Sequence, residues 1–70
     1  MEYTVNFNWD SEAGVWTAIC DDIPLALESG SFDALVERAK ICAAEMLELN
    51  SPQQSPVKLR IKSERLESIA

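Results

Sequence analysis

Histidine is absent from this 70-residue chain. With it goes the side chain that most often serves as a general base or metal ligand near neutral pH. Glycine occurs only twice, as Gly14 and Gly30, which leaves no GxGxxG or GxxxxGK[ST] phosphate loop. The two cysteines, Cys20 and Cys42, do not form a CxxC pair, so no zinc-site spacing is present. They allow at most one disulfide. Both lie in apolar runs, where free cysteine behaves as a small hydrophobe, so reduced core thiols are expected. The N-terminus MEYTVNFNWD has neither the basic start nor the apolar run of a signal peptide. No stretch approaches the roughly 18 apolar residues of a membrane span. A cytoplasmic protein without membrane association is the expectation.

Positive charge is also scarce. Six Lys and Arg stand against twelve Asp and Glu, a formal net charge of −6. The imbalance is uneven: residues 1–50 hold ten acidic and two basic side chains, residues 51–70 two acidic and four basic. An acidic body repels phosphate backbones, so direct DNA binding is not expected. The acidity suits either plain solubility or a basic protein partner. A chain this short buries only about 60% of its unfolded surface. Small scaffolds of this kind need a staple. With disulfide and metal disfavoured, self-association as a homodimer is the expected support.

What is present reads as alternating strands around one amphipathic helix. In YTVNFNW, Tyr3, Val5, Phe7 and Trp9 point one way and Thr4, Asn6 and Asn8 the other, the period of a half-buried antiparallel strand. DSEAG is a turn in which Gly14 can take a positive φ. VWTAICD is a second strand. A four-residue loop, Ser11–Gly14, sets Trp9 opposite Trp16, Phe7 opposite Ala18 and Val5 opposite Cys20. A one-residue slip would turn Val15, Thr17 and Ile19 to the core instead. The tryptophans then form a cross-strand pair near the turn, or else a ligand-stacking platform. Pro24 suits the entrance to a short third strand, LALE. Ser31 is a helix N-cap with Asp33 in the first turn. From Phe32 to about Leu49 the period is helical, with Leu35, Val36, Ala39, Cys42, Ala43, Met46 and Leu47 on one stripe. Residues 50–56, NSPQQSP, form a polar connector. VKLRIKSERL is a fourth strand with Val57, Leu59 and Ile61 inward and Lys58, Arg60 and Lys62 outward. That basic row either guards a sheet edge or offers a weak RNA footprint.

The order β-β-β-α-β predicts an α+β fold: a four-stranded mixed sheet ordered 3-2-1-4, with the helix on one face. Thr4, Asn6, Asn8, Val15, Thr17 and Ile19 would line the open face. Asp10 and Glu12 would lie at one end of the sheet, and Asp21 and Asp22 at the other. Carboxylates so separated cannot share a metal or a scissile bond. No catalytic, cofactor-binding or metal-binding residue is assigned, and an enzyme is not expected.

The stretch YTVNFNWDSEAGVWTA, the Cys-Asp-Asp-Ile-Pro turn, the strand ending Glu28-Ser29-Gly30 and the helix opening SFDALVERA resemble the HicB-like antitoxin superfamily. More closely, they resemble short bacterial proteins of unknown function placed near it. The resemblance covers about residues 3–50, with 56–62 fitting the last strand. It implies a partial RNase H-like sheet, with residues 1–70 as a single HicB-like domain. It also implies a role in a toxin–antitoxin system: neutralising a small, basic, mRNA-cleaving toxin by covering its active site. Many such antitoxins carry a DNA-binding tail, and no such module is expected here. Leu25 stands where the family often has glycine after the turn proline. Partner contacts would fall on Asp10, Glu12, Asp21 and Asp22, with Ile23, Pro24 and Leu25 as apolar anchors. The alternative is an orphan oligomerising domain with no toxin partner.

Overall fold

A computed structural model describes residues 2–47 and 57–70. The chain forms β1 (Glu2–Asp10), β2 (Val15–Cys20), β3 (Leu25–Ser29), α1 (Phe32–Met46) and β4 (Lys58–Glu64). The four strands make one sheet ordered β3-β2-β1-β4. β1 and β2 pair antiparallel, as do β2 and β3, and β4 lies parallel to β1. This is the α+β architecture and strand order expected from the periodicities. The expected helix end near Leu49 and the connector 50–56 lie outside the described residues; α1 is described to Met46, with Leu47 as its C-cap.

The first hairpin takes the expected register, with Trp9 opposite Trp16, Phe7 opposite Ala18 and Val5 opposite Cys20. Its turn is built by Asp10. The Asp10 carboxylate accepts from the backbone N–H of Glu12 (3.0 Å) and of Ala13 (3.2 Å). The Asp10 carbonyl accepts from Gly14 N–H at 2.8 Å, and Gly14 sits at φ 69. An L side chain enters that region only at a cost of about 1–2 kcal/mol, which is why glycine ends this turn. Large odd-numbered residues of β1 thereby meet the helix side. The slipped register would have turned Val15 and Thr17 there in place of Trp16 and Ala18.

The second turn is tighter. Leu25 N–H donates to the Ile23 carbonyl at 2.6 Å, a three-residue turn centred on Pro24, whose fixed φ suits it. It folds Ile23 back under the sheet. Ser31 caps α1, its hydroxyl accepting from Ala34 N–H at 3.3 Å. Such a cap contributes about 1 kcal/mol.

The core is Val5, Phe7, Ala18, Cys20, Ile23, Leu25, Leu35, Ala39 and Ala43. Among the described residues, no polar or charged side chain is buried with them. An aromatic chain closes the turn end. Phe7 meets Phe32 at 5.2 Å between centroids, Phe32 meets Trp16 at 4.9 Å, and Trp16 meets Trp9 edge-on at 5.5 Å. Arg65 lies over the Trp9 ring at 4.1 Å. The tryptophans are thus a half-buried structural pair. Cys20 and Cys42 are both free; Cys20 is buried and Cys42 half-buried.

The helix does not cover the sheet evenly. α1 packs chiefly on β3 and β2. The Arg38 guanidinium fastens it by donating to the Glu28 carbonyl of β3 at 3.0 Å. The expected stripe is therefore narrower than its sequence suggests: Leu35, Ala39 and Ala43 are buried, while Met46 is exposed.

Candidate interaction surface

The seven expected contact residues divide into three sets. Asp10 and Glu12 are exposed at the β1–β2 turn. Asp10 uses one carboxylate oxygen on that turn, so it is a structural residue as well as a surface charge. Asp21, Asp22 and Pro24 are exposed at the β2–β3 turn. Ile23 and Leu25 are only 2% exposed and belong to the core. That departs from the expectation that they serve as apolar anchors: after the Pro24 turn both side chains lie in the core with Leu35 and Ala39.

The two acidic turns are not brought together. The hairpin runs from the Val5–Cys20 pair to the Asp10–Val15 pair, five residues or about 17 Å of strand. Among the described residues, no group of three His, Cys, Asp or Glu is placed to hold a metal ion. Nor does any ion pair among them engage Glu12, Asp21 or Asp22; those present join Lys40 to Glu37, Arg60 to Glu2 and Arg65 to Glu67. The acidic turns therefore keep their charge for solvent or for a partner.

The face opposite α1 joins these turns. Strand registers align Ala26, Ile19, Asn6 and Lys62 in one row and Glu28, Thr17, Asn8 and Glu64 in the next. Ile19, 47% exposed, is the large apolar side chain of this face and stands two residues from Asp21. The contribution of β3 to this face is not evident in the sequence, whereas Lys58, Arg60 and Lys62 of β4 are read there as outward. Alternation shows which residues share a side, but the neighbours across strands depend on two further registers. The basic row of β4 is partly neutralised, since Arg60 donates to Glu2 at 2.7 Å.

The helix side offers a different surface. Ala43 and Ala44 of α1, its C-cap Leu47, and Val57, Leu59 and Ile61 beside them line a groove of about 480 Å³, with Lys40 and Lys58 also on its wall. Ile61 is 39% exposed there, although its place opposite Val5 turns it inward as expected. Among the described residues no helix is long and apolar enough to cross a membrane.

Comparisons with known proteins agree with this architecture. The hypothetical protein TTHA1013 from the extremely thermophilic bacterium Thermus thermophilus is similar in structure, with a TM-score of 0.78 and 35% sequence identity. The match covers 99% of this chain and 100% of that one. No curated protein matches the chain. Residues 2–69 match the family described as a domain of unknown function, DUF1902. With nearly its whole length matched, from β1 through β4 and beyond, this chain belongs to the DUF1902 family.

Proposed function

We propose that the chain is a non-catalytic protein-interaction domain that binds a small basic protein, in the manner of an antitoxin. The observation that carries this reading is the acidic β2–β3 turn: Asp21 and Asp22 are exposed, without ion-pair partners among the described residues, and adjoin the exposed Ile19. The two cations of residues 1–47, Arg38 and Lys40, are both engaged on the helix side, with the Glu28 carbonyl and with Glu37. Acidic rims steer a basic partner and chiefly raise its association rate. Affinity comes from a few desolvated anchors. With Ile23 and Leu25 in the core, Ile19, Ala26 and Pro24 take that role. The resemblance to HicB-like antitoxins supports an mRNA-cleaving toxin as the partner, and the separation of the carboxylates supports the absence of catalysis.

Co-purification with the product of the adjacent gene, at low and high salt, tests this. Reversing charge at Asp21 and Asp22 slows association, and Ile19→Asp speeds dissociation. Failure to bind, or binding indifferent to these positions and to salt, removes the antitoxin reading. A self-associating domain then takes its place. A separate observation favours that second reading: Leu66 and Ile69, beyond β4, are 95% and 99% exposed.

A further inference from the structure

The two edges of the sheet are unlike. β3 is five residues long, and its Glu28 carbonyl is occupied by Arg38. β4 is seven residues long, pairs on one side with β1, and has no strand on its other side among the described residues. β4 ends at Glu64, and residues 65–70 follow it outside any strand. Glu64 stands opposite Asn8, so the next position falls beside Trp9, where the Arg65 guanidinium lies over the ring. Arg65 also donates to Glu67, two residues on. Beyond β4, Leu66 and Ile69 are 95% and 99% exposed.

A long free edge followed by two fully exposed aliphatic residues is a template for another strand. The natural occupant is a second copy, because symmetric pairing satisfies both edges at once. Symmetry restricts how this can happen. A two-fold axis that makes edge strands antiparallel stands perpendicular to the sheet. It keeps both helices on one face, and since opposed residues must share a face, it passes through a residue rather than between two. Seven centres exist within β4. Those at Lys58, Arg60, Lys62 and Glu64 set a charge against itself. Leu59 as centre opposes Lys58 to Arg60, and Ile61 opposes Arg60 to Lys62. Like charges directly opposite are destabilising. Only Ser63 escapes: it sets Lys62 opposite the partner's Glu64, twice by symmetry. Were the pairing carried past Glu64 in the same register, it would set Ile69 beside the partner's Val57, at the wall of the apolar groove between α1 and β4.

We propose that two copies of this chain pair antiparallel through their β4 edges about a two-fold axis at Ser63, forming a continuous eight-stranded sheet with both helices on one side. This rests on the self-associating reading above and names its edge and register.

Sedimentation of the full chain at micromolar concentration tests the association, and Ser63→Cys tests the register. Cβ atoms opposite each other at the axis lie about 4.5–5.5 Å apart, within reach of a disulfide after slight adjustment. Mild oxidation should convert the Ser63→Cys protein to a covalent dimer while the wild type, with its own two cysteines, and Arg60→Cys remain uncrosslinked. Lys62→Glu should weaken the dimer about tenfold, and Lys62→Glu with Glu64→Lys should restore it. A dimer that persists but gives no Ser63→Cys crosslink, or that ignores Lys62→Glu, overturns the β4 register and leaves self-association standing. A strict monomer overturns both.

Discussion

The two halves of the sheet are held by different forces. On the β2–β3 side, α1 lies against the strands and Ala18, Cys20, Leu25, Leu35 and Ala39 are buried among one another. On the far side, β4 matches β1 over seven register positions, yet none of its own residues is buried. One half is a packed core and the other is mainly a backbone ladder. Ladder hydrogen bonds replace bonds to water and contribute modestly, whereas apolar burial is the dominant favourable term. The difference teaches that apolar burial holds the β2–β3 side, while β4 is held chiefly by its pairing with β1.

The largest effect that would sharpen this contrast comes from matched truncations. Leu35→Ala should cost about 2–5 kcal/mol in urea denaturation, a large share of the stability of a 70-residue domain. Ile61→Ala, on the groove, should cost less than about 1 kcal/mol in the monomer because little packing is lost. Equal losses at the two sites would erase the distinction between the halves.

Next in size is the cap. Ser31→Ala should cost about 1 kcal/mol by leaving the Ala34 N–H without its acceptor. The loss should appear as faster hydrogen exchange in the first turn of α1, with β4 unchanged; a response spread equally into β4 would show the halves to be one cooperative unit.

Arg65→Ala probes the ladder side. Removing the cation over Trp9 should cost about 0.5–1 kcal/mol. It should raise exchange at the Trp9 end of β4 more than at Lys58. A uniform change along β4 would mean that Arg65 does not pin that end. The smallest effect is expected from Glu2→Gln, which breaks the pair with Arg60. Both partners are more than half exposed, so the cost should be under about 1 kcal/mol and vanish in high salt.

Much of the fold was legible locally. The alternation of Tyr3, Val5, Phe7 and Trp9, with a four-residue turn ended by Gly14, was enough for the hairpin register, because slipping by one residue reverses every side chain. The Ser31 cap was equally visible, since a hydroxyl just before a helical period has a defined acceptor role. Ile23 and Leu25 were misjudged for a definite reason. DDIPL reads as an exposed turn from its carboxylates and proline, but the three-residue bend at Pro24 sends its apolar neighbours inward. Met46 was misjudged because helical period fixes the direction of a stripe and not how far along it the sheet extends.

The sequence by itself determined what is short-range: which residues share a side of each strand, where the turns and the helix begin, and the surplus of negative charge in residues 1–50. These follow from pleat, helical pitch and backbone sterics, which act between residues close in the chain. The tertiary structure decided where the helix rests. By placing α1 over β2 and β3, it turned Ile23 and Leu25 into core residues, left Ile61 beside an open groove and set β4 at the edge of the sheet, with no further strand beside it among the described residues. Coverage of that kind depends on where a distant element lands, and periodicity within a segment carries no information about its neighbour across the sheet.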